Sequence, residues 1–242
     1  ALDEAEIGIL DPSGASDWTA LHGAAIAERS VWFQFTLSNT DYMGAGKLLV
    51  DMLERDNDSR LNIYFLGSGT TDIVGVSPGD SIQNASMLNI TGHYGMQWEP
   101  EFVSWYENSF IQAECHYKLG NEGLALAKLN ETLDGIEERW QGLGFSSASV
   151  PRYSDISGEE LFAAIMNEKY KALFLNMQSW SDWRRTGYPN FIDSENNSTE
   201  CGGASDGNGV PRRLLYPEKE KASNPNCPQN DGIYDRLEND PS

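Results

Sequence analysis

FAAIMNEKYKALFLNMQSWSDWRRTGYP, residues 162–189, decides the fold. Phe162, Met166, Tyr170, Leu173 and Met177 recur three or four residues apart, which draws one apolar stripe along a helix. Ser157 followed by Glu160 predicts a capping box at its start. Gly187 and Pro189 predict its end, because glycine accepts a left-handed C-cap and proline cannot continue the hydrogen-bond ladder.

The same period appears upstream. Phe102, Tyr106, Phe110, Ala113 and Tyr117 predict a helix over Glu101–Leu119, and Gly120-Asn121 breaks it. Leu126, Leu129, Leu133, Ile136 and Trp140 predict a second helix over Leu124–Gln141. Two amphipathic helices on so short a link pack antiparallel, since neither buries its stripe alone. The run Ala113 … Gly120 … Ala125 is similar to a tetratricopeptide helix pair. A further helix is expected over Asp41–Glu54, with Leu49 and Leu53 on one face and Asp41 as its cap. Residues 1–40 read as irregular, with helical stretches between Trp18 and Arg29, and residues 67–95 read as loops with at most short strands. The expectation is a mainly α fold: tetratricopeptide-like helix pairs, long irregular loops and minor β structure. Phe191–Val210 and the tail from Lys219 read as long surface segments rather than a separate domain.

Composition narrows the function. The 242 residues carry 37 Asp and Glu against 17 Lys and Arg, a formal charge of −20. Such a surface repels phosphate backbones, so nucleic acid is not an expected partner. The three histidines, His22, His93 and His116, have no metal-ligand spacing. No nucleophile elbow and no phosphate loop occur. No cofactor, metal site or catalytic residue is therefore expected. Arg184 and Arg185 are expected to brace the fold against helix carboxylates such as Glu114 or Glu168 rather than hold an anion. Cys115 reads as a buried thiol, and Cys201 and Cys227, both in polar segments, leave a disulfide open. The acidic loop 193–208 supplies oxygen ligands that could hold calcium but lacks the spacing of a calcium loop.

Three strings carry a resemblance. Glu168–Phe174 with Trp180–Pro189, then Pro211–Glu220 with Asn224, resemble the C-terminal signature of the SusD/RagB family. Asp56–Phe65 resembles another string of that family, with Ser59 where the family usually has proline. The family comprises surface glycan-binding lipoproteins that sit on TonB-dependent outer-membrane transporters. The resemblance implies that residues 1–242 are the C-terminal portion of such a protein. The export signal, lipid anchor and most repeat helices would lie in an N-terminal part outside these residues. It also implies the function: capture of an oligosaccharide at the outer membrane for uptake through a SusC-like TonB-dependent transporter, by binding and not by catalysis. The alternative is a peptide- or protein-binding module, a common use of tetratricopeptide folds, and a glycoside hydrolase on a helical scaffold is the third class. An aromatic arc in a shallow groove favours glycan, whereas a deep cleft with two facing carboxylates favours an enzyme.

Aromatic rings cover the flat faces of sugars with rigid area. Trp105 and Trp140 sit in predicted helices and Trp180 and Trp183 in the signature, so they are assigned to structure. Trp18, Trp32, Trp98, Tyr42, Tyr64 and Tyr94 lie in polar or irregular stretches, where binding residues concentrate. Trp32, Tyr42 and Tyr64 are the stacking candidates taken from that set.

Overall fold

The computed structural model describes residues 1–8, 11–40, 42–67, 72–77, 81–190 and 216–227. Two units divide the chain. One holds residues 1–75 and 82–189, and the other holds residues 76–81 and 190–242.

The first unit carries eight α-helices among its described residues: α1 Leu2–Ile7, α2 Val31–Ser38, α3 Lys47–Arg55, α4 Arg60–Tyr64, α5 Trp105–Lys118, α6 Glu122–Gly142, α7 Gly158–Ala172 and α8 Gln178–Thr186. Two short antiparallel ribbons complete it. β1 (Trp18–Thr19) pairs with β4 (Glu101–Val103), and β2 (Phe65–Leu66) pairs with β3 (Met87–Leu88). The mainly α expectation with minor β holds. In the second unit the described helix is α9, Glu218–Ser223. No helix among the described residues is long and apolar enough to cross a membrane.

The predicted helix pair is α5 and α6, and it is antiparallel. Ser109 near the middle of α5 meets Thr132 of α6 at 2.6 Å between hydroxyl oxygens, while α5 ends only a few residues before α6 begins. Phe110, Ala113, Ala125, Leu129 and Leu133 are wholly buried between them, with Leu161 and Ile165 of α7 closing the third side. Hydrophobic burial of this kind is the main stabilising contribution of the fold.

The start of the pair differs from the sequence expectation. Residues 101–103 are strand β4, and α5 begins at Trp105. Ser104 is its N-cap and accepts a hydrogen bond from the Glu107 N–H, while the Trp105 N–H donates to Asp17 Oδ1 at 2.6 Å. Two orphan N–H groups of the first turn are thereby satisfied, and the strand backbone pairs with β1 instead of extending the helix. Phe102, assigned to the helical stripe, is 54% exposed.

The stretch 162–189 forms two helices, not one. α7 stops at Ala172, Leu175 takes a positive φ of 65°, and α8 begins at Gln178. The break is held by Asn176, whose side chain donates to the Glu101 carbonyl at 3.2 Å and accepts from the Gln178 N–H at 2.9 Å. Met177 is therefore 86% exposed and outside the stripe. The Ser157–Glu160 capping box does not form. Ser157 is the N-cap without a side-chain bond, and Glu122 of α6 accepts from the Gly158 N–H at 3.2 Å. Gly187 does end α8, with φ of 78° and its N–H on the Trp183 carbonyl. Between Trp18 and Arg29 the chain is strand β1 and a single 3₁₀ turn, and the helices of this region are α1 and α2 on either side.

A second apolar cluster packs α3 and α4 under an aromatic set. Leu49, Leu53, Ile63, Tyr64, Phe65 and Tyr94 are buried, with Trp98, Trp140 and Phe174 packed on them. α3 begins at Lys47 with Gly46 as its N-cap, so the predicted start and cap at Asp41 are not observed. The acidic loop 193–208, Cys201 and residues 211–215 lie outside the described residues. Cys115 is half-buried and a free thiol, and Cys227 is buried.

A groove beside Trp98 and a clamped arginine

Two of the strings that resemble the family, Asp56–Phe65 and Glu168–Phe174, meet in space, and they meet in the interior. Asp58 and Arg60 of the first string lie against Glu168 and Lys171 of the second, all buried. The Arg60 guanidinium donates to Asp58 at 2.5–3.0 Å and to Glu168 at 2.5 Å. The Lys171 ammonium donates to Glu168 and Asp56, each at 2.6 Å, and the Tyr153 hydroxyl donates to Glu168 at 2.7 Å. Burial would push the Glu168 carboxyl up, but the Arg60 and Lys171 cations outweigh it and hold the group below its ordinary value. The Arg60, Asp58, Glu168 and Lys171 side chains reach no solvent, and the cluster serves the fold.

A second arginine cluster opens outward. Arg139 on α6 donates to Asp17 at 2.7 Å and to Glu101 of β4. Glu101 also accepts from the Tyr106 hydroxyl, and its backbone carbonyl takes the bond from Asn176. Strand alternation explains the placement. Asp17, Thr19 and Glu101 line one face of the β1–β4 ribbon, while Trp18 and Phe102 pair at 5.4 Å elsewhere, 66% and 54% exposed. Gly14 has a positive φ of 79°, and a Cβ there would stand 2.7 Å from the Arg139 guanidinium. Another residue here would be strained by the positive φ and would displace the guanidinium.

These residues form one wall of an open groove of about 750 Å³. Trp98, His93 and Gln97 also line it. The size lies within the ~300–1,000 Å³ of ordinary ligand sites. Beneath it lies a cavity of about 60 Å³ walled by Tyr64, Tyr94, Trp140 and Phe174. At ~10–15 Å³ per water, that inner space holds a few waters rather than a sugar ring. The rings below are a rigid bed: Tyr64 stacks on Phe174 at 4.7 Å, and Tyr94 meets Trp98 edge-on at 4.8 Å. His93 stands edge-on to Trp140 at 4.6 Å. Burial, with the Arg139 charge added, pushes its imidazole down to about 4 and keeps it neutral near pH 7. Glu101 is pushed up by burial, only partly opposed by Arg139 and the Tyr106 hydroxyl.

Of the sequence-predicted stacking residues, Tyr64 is 2% exposed and its hydroxyl donates to the Lys171 carbonyl at 3.0 Å. It has no ring face to offer, because Arg60–Tyr64 is a buried helix rather than a polar turn. Trp32 is half-buried on α2 against the second cluster, and Tyr42 is 74% exposed. Neither lines the groove. Trp98 was one of the six loop aromatics, but nothing in its local pattern separated it from the others. Asp17, Glu101 and Arg139 carry no local signal at all, because they converge from distant positions. Arg185 braces the fold as expected: its guanidinium donates to both oxygens of Glu114 and to Asp182.

Residues 4–217 match the family SusD-like_2, described as starch-binding associating with outer membrane. The chain belongs to this SusD-like family. Among solved structures, it is similar to a SusD homologue from Bacteroides vulgatus, with 18% identity and a TM-score of 0.68 over 96% of this chain and 56% of that one. A SusD homologue from Bacteroides fragilis gives 18% identity and a TM-score of 0.65 over 88% and 53%. A chitin-binding SusD homologue from Flavobacterium johnsoniae gives 19% identity and a TM-score of 0.60 over 83% and 50%. The chain thus spans about half the length of these relatives. No curated protein is similar in sequence.

Proposed function

We propose that this SusD-like chain is part of an outer-membrane-associated protein that captures oligosaccharides, and that the groove between Trp98 and Arg139 is where the sugar sits. In this reading the full-length protein is lipid-anchored at the cell surface and hands its ligand to a SusC-like TonB-dependent transporter for nutrient uptake. The observation that carries the reading is an open groove lined by both an indole and hydrogen-bonding groups. Sugars need both, a ring for the C–H face and fixed polar groups for the hydroxyls. The family description, starch-binding associating with outer membrane, and the chitin-binding relative point the same way. Binding rather than catalysis fits the carboxylates. Asp17 and Glu101 are both held by Arg139 as part of the groove lining. Trp32 and Tyr42 stay in the proposal as outlying stacking rings; Tyr64 does not.

The test is isothermal titration of the full-length protein with starch and chitin oligosaccharides. Trp98→Ala is expected to weaken binding about three- to tenfold, the worth of one stacked aromatic contact. Trp32→Ala and Tyr42→Ala are expected to have smaller effects. Unchanged affinity in a folded Trp98→Ala protein would remove the groove from the site.

A further inference from the structure

We infer that the groove selects by charge and takes a glycan bearing free amino groups in preference to a neutral one, and rejects one bearing carboxylates. The inference rests on the groove being the glycan site.

Among the described residues that line it, the single Lys or Arg is Arg139. Its guanidinium is already committed, to Asp17 at 2.7 Å and to Glu101. A carboxylate on a uronic acid would therefore find no uncommitted cation in the groove. It would also approach Asp17, Glu101 and Glu99, three acids against one arginine. Glu99 is exposed, and its carboxylate accepts from the Thr19 hydroxyl at 3.1 Å. A protonated amine reverses each term: Glu99 is a ready acceptor at the rim, and a charge-assisted hydrogen bond is stronger than a neutral one. His93 adds no positive charge near neutrality, since burial keeps it unprotonated. The chain as a whole, at −20, extends the same field outward, attracting a cationic sugar from beyond the groove. The chitin-binding relative makes a natural probe pair available, because removing the acetyl groups from a chitin oligomer leaves one free amine per ring.

The experiment titrates the full-length protein with a chitin oligomer, its deacetylated counterpart of equal length and a galacturonic acid oligomer, in mildly acidic buffer at low and high salt, with a starch oligomer as reference. The deacetylated oligomer is expected to bind about two- to fivefold tighter than the chitin oligomer at low salt, the worth of about one exposed charge pair. The advantage should shrink at about 1 M salt, where the screening length falls to ~3 Å. The galacturonic acid oligomer should be weakest, and Glu99→Lys should narrow or reverse its gap from the deacetylated one. Equal affinity for the amino and acetylated oligomers, or the tightest binding by the starch or galacturonic acid oligomer, overturns the inference. It leaves the groove reading standing if Trp98→Ala still weakens whichever oligomer binds. Binding of none of the four overturns both.

Discussion

The clusters around Arg60 and Arg139 are made of the same parts and do opposite things. Each clamps an arginine between two carboxylates, and in each a tyrosine hydroxyl donates to one of those carboxylates. Around Arg60 the arginine, Asp58 and Glu168 side chains are at 0% exposure. Around Arg139 the Asp17 side chain is likewise at 0%, but the arginine and Glu101 keep 18% and 19% of theirs and line the groove. Burial decides the role. A sealed charge network cannot meet a ligand, and it is costly to break, because water cannot replace a partner lost in the interior. A half-open one still orders its wall, yet its polar atoms can be shared with a solute.

The contrast is sharpest in what deletion costs. Glu168→Ala leaves Arg60 with Asp58 and Lys171 with Asp56, but it removes the buried bonds from Arg60, Lys171 and Tyr153 together, and the expected loss is about 3–5 kcal/mol in denaturant melts. A loss below about 1 kcal/mol would mean that the Arg60 cluster is not sealed, and the distinction would fail.

Acid should separate the clusters next. The Glu168 carboxyl is depressed by Arg60 and Lys171 despite burial, so its contribution is present above the ordinary value of 4.5 and is lost as pH falls below it. His93, pushed down to about 4, refuses a proton that the unfolded chain accepts at 6.5. Its contribution is full above pH 6.5 and disappears as pH falls from 6.5 to about 4, on the order of 3 kcal/mol. Glu101 runs the other way: its raised carboxyl is ionised at a cost near neutrality, and acid relieves that cost. Melting temperature should therefore fall between pH 6.5 and 4, and His93→Asn should flatten that fall. An unchanged slope in the variant would assign the acid sensitivity elsewhere.

Arg139→Ala comes third. Asp17 keeps its bond from the Trp105 N–H, and Glu101 keeps Tyr106, so about 1–3 kcal/mol is expected. Oligosaccharide affinity should fall together with stability. A variant as damaged as Glu168→Ala would erase the difference between the two clusters. The smallest effect belongs to Arg185→Ala. Its bonds to Glu114 and Asp182 are well formed, but the side chain is 49% exposed, and solvent screening limits the loss to about 1 kcal/mol or less. A melt that is unmoved while ligand binding is lost would turn the signature arginine into a binding residue.

The two clusters also mark how far the sequence can be read. Stripes such as Phe110–Ala113 and Leu129–Leu133 report directly on burial, because a helix repeats its environment every turn. The Gly187 stop was equally plain, since a left-handed C-cap selects its residue. The break at Leu175 was not, because it is enforced from outside by Asn176 reaching the Glu101 carbonyl. Phe102 misled for a related reason: its four-residue step to Tyr106 suits a helix, but pairing with β1 claims its backbone. Tyr64 looked like a loop ring because Asp56–Ser59 is polar, yet Asp58 is polar in order to hold Arg60 inside. The groove was least legible of all, since Asp17, Trp98, Glu101 and Arg139 meet only through tertiary folding.

A crystal structure of the full-length protein soaked with the tightest-binding oligosaccharide would bear on the groove without inference. The expected result is a sugar ring lying against Trp98 with its polar groups toward Glu99, Glu101 and Arg139. A ligand ordered elsewhere on the protein, with this groove holding only water, would contradict the assignment.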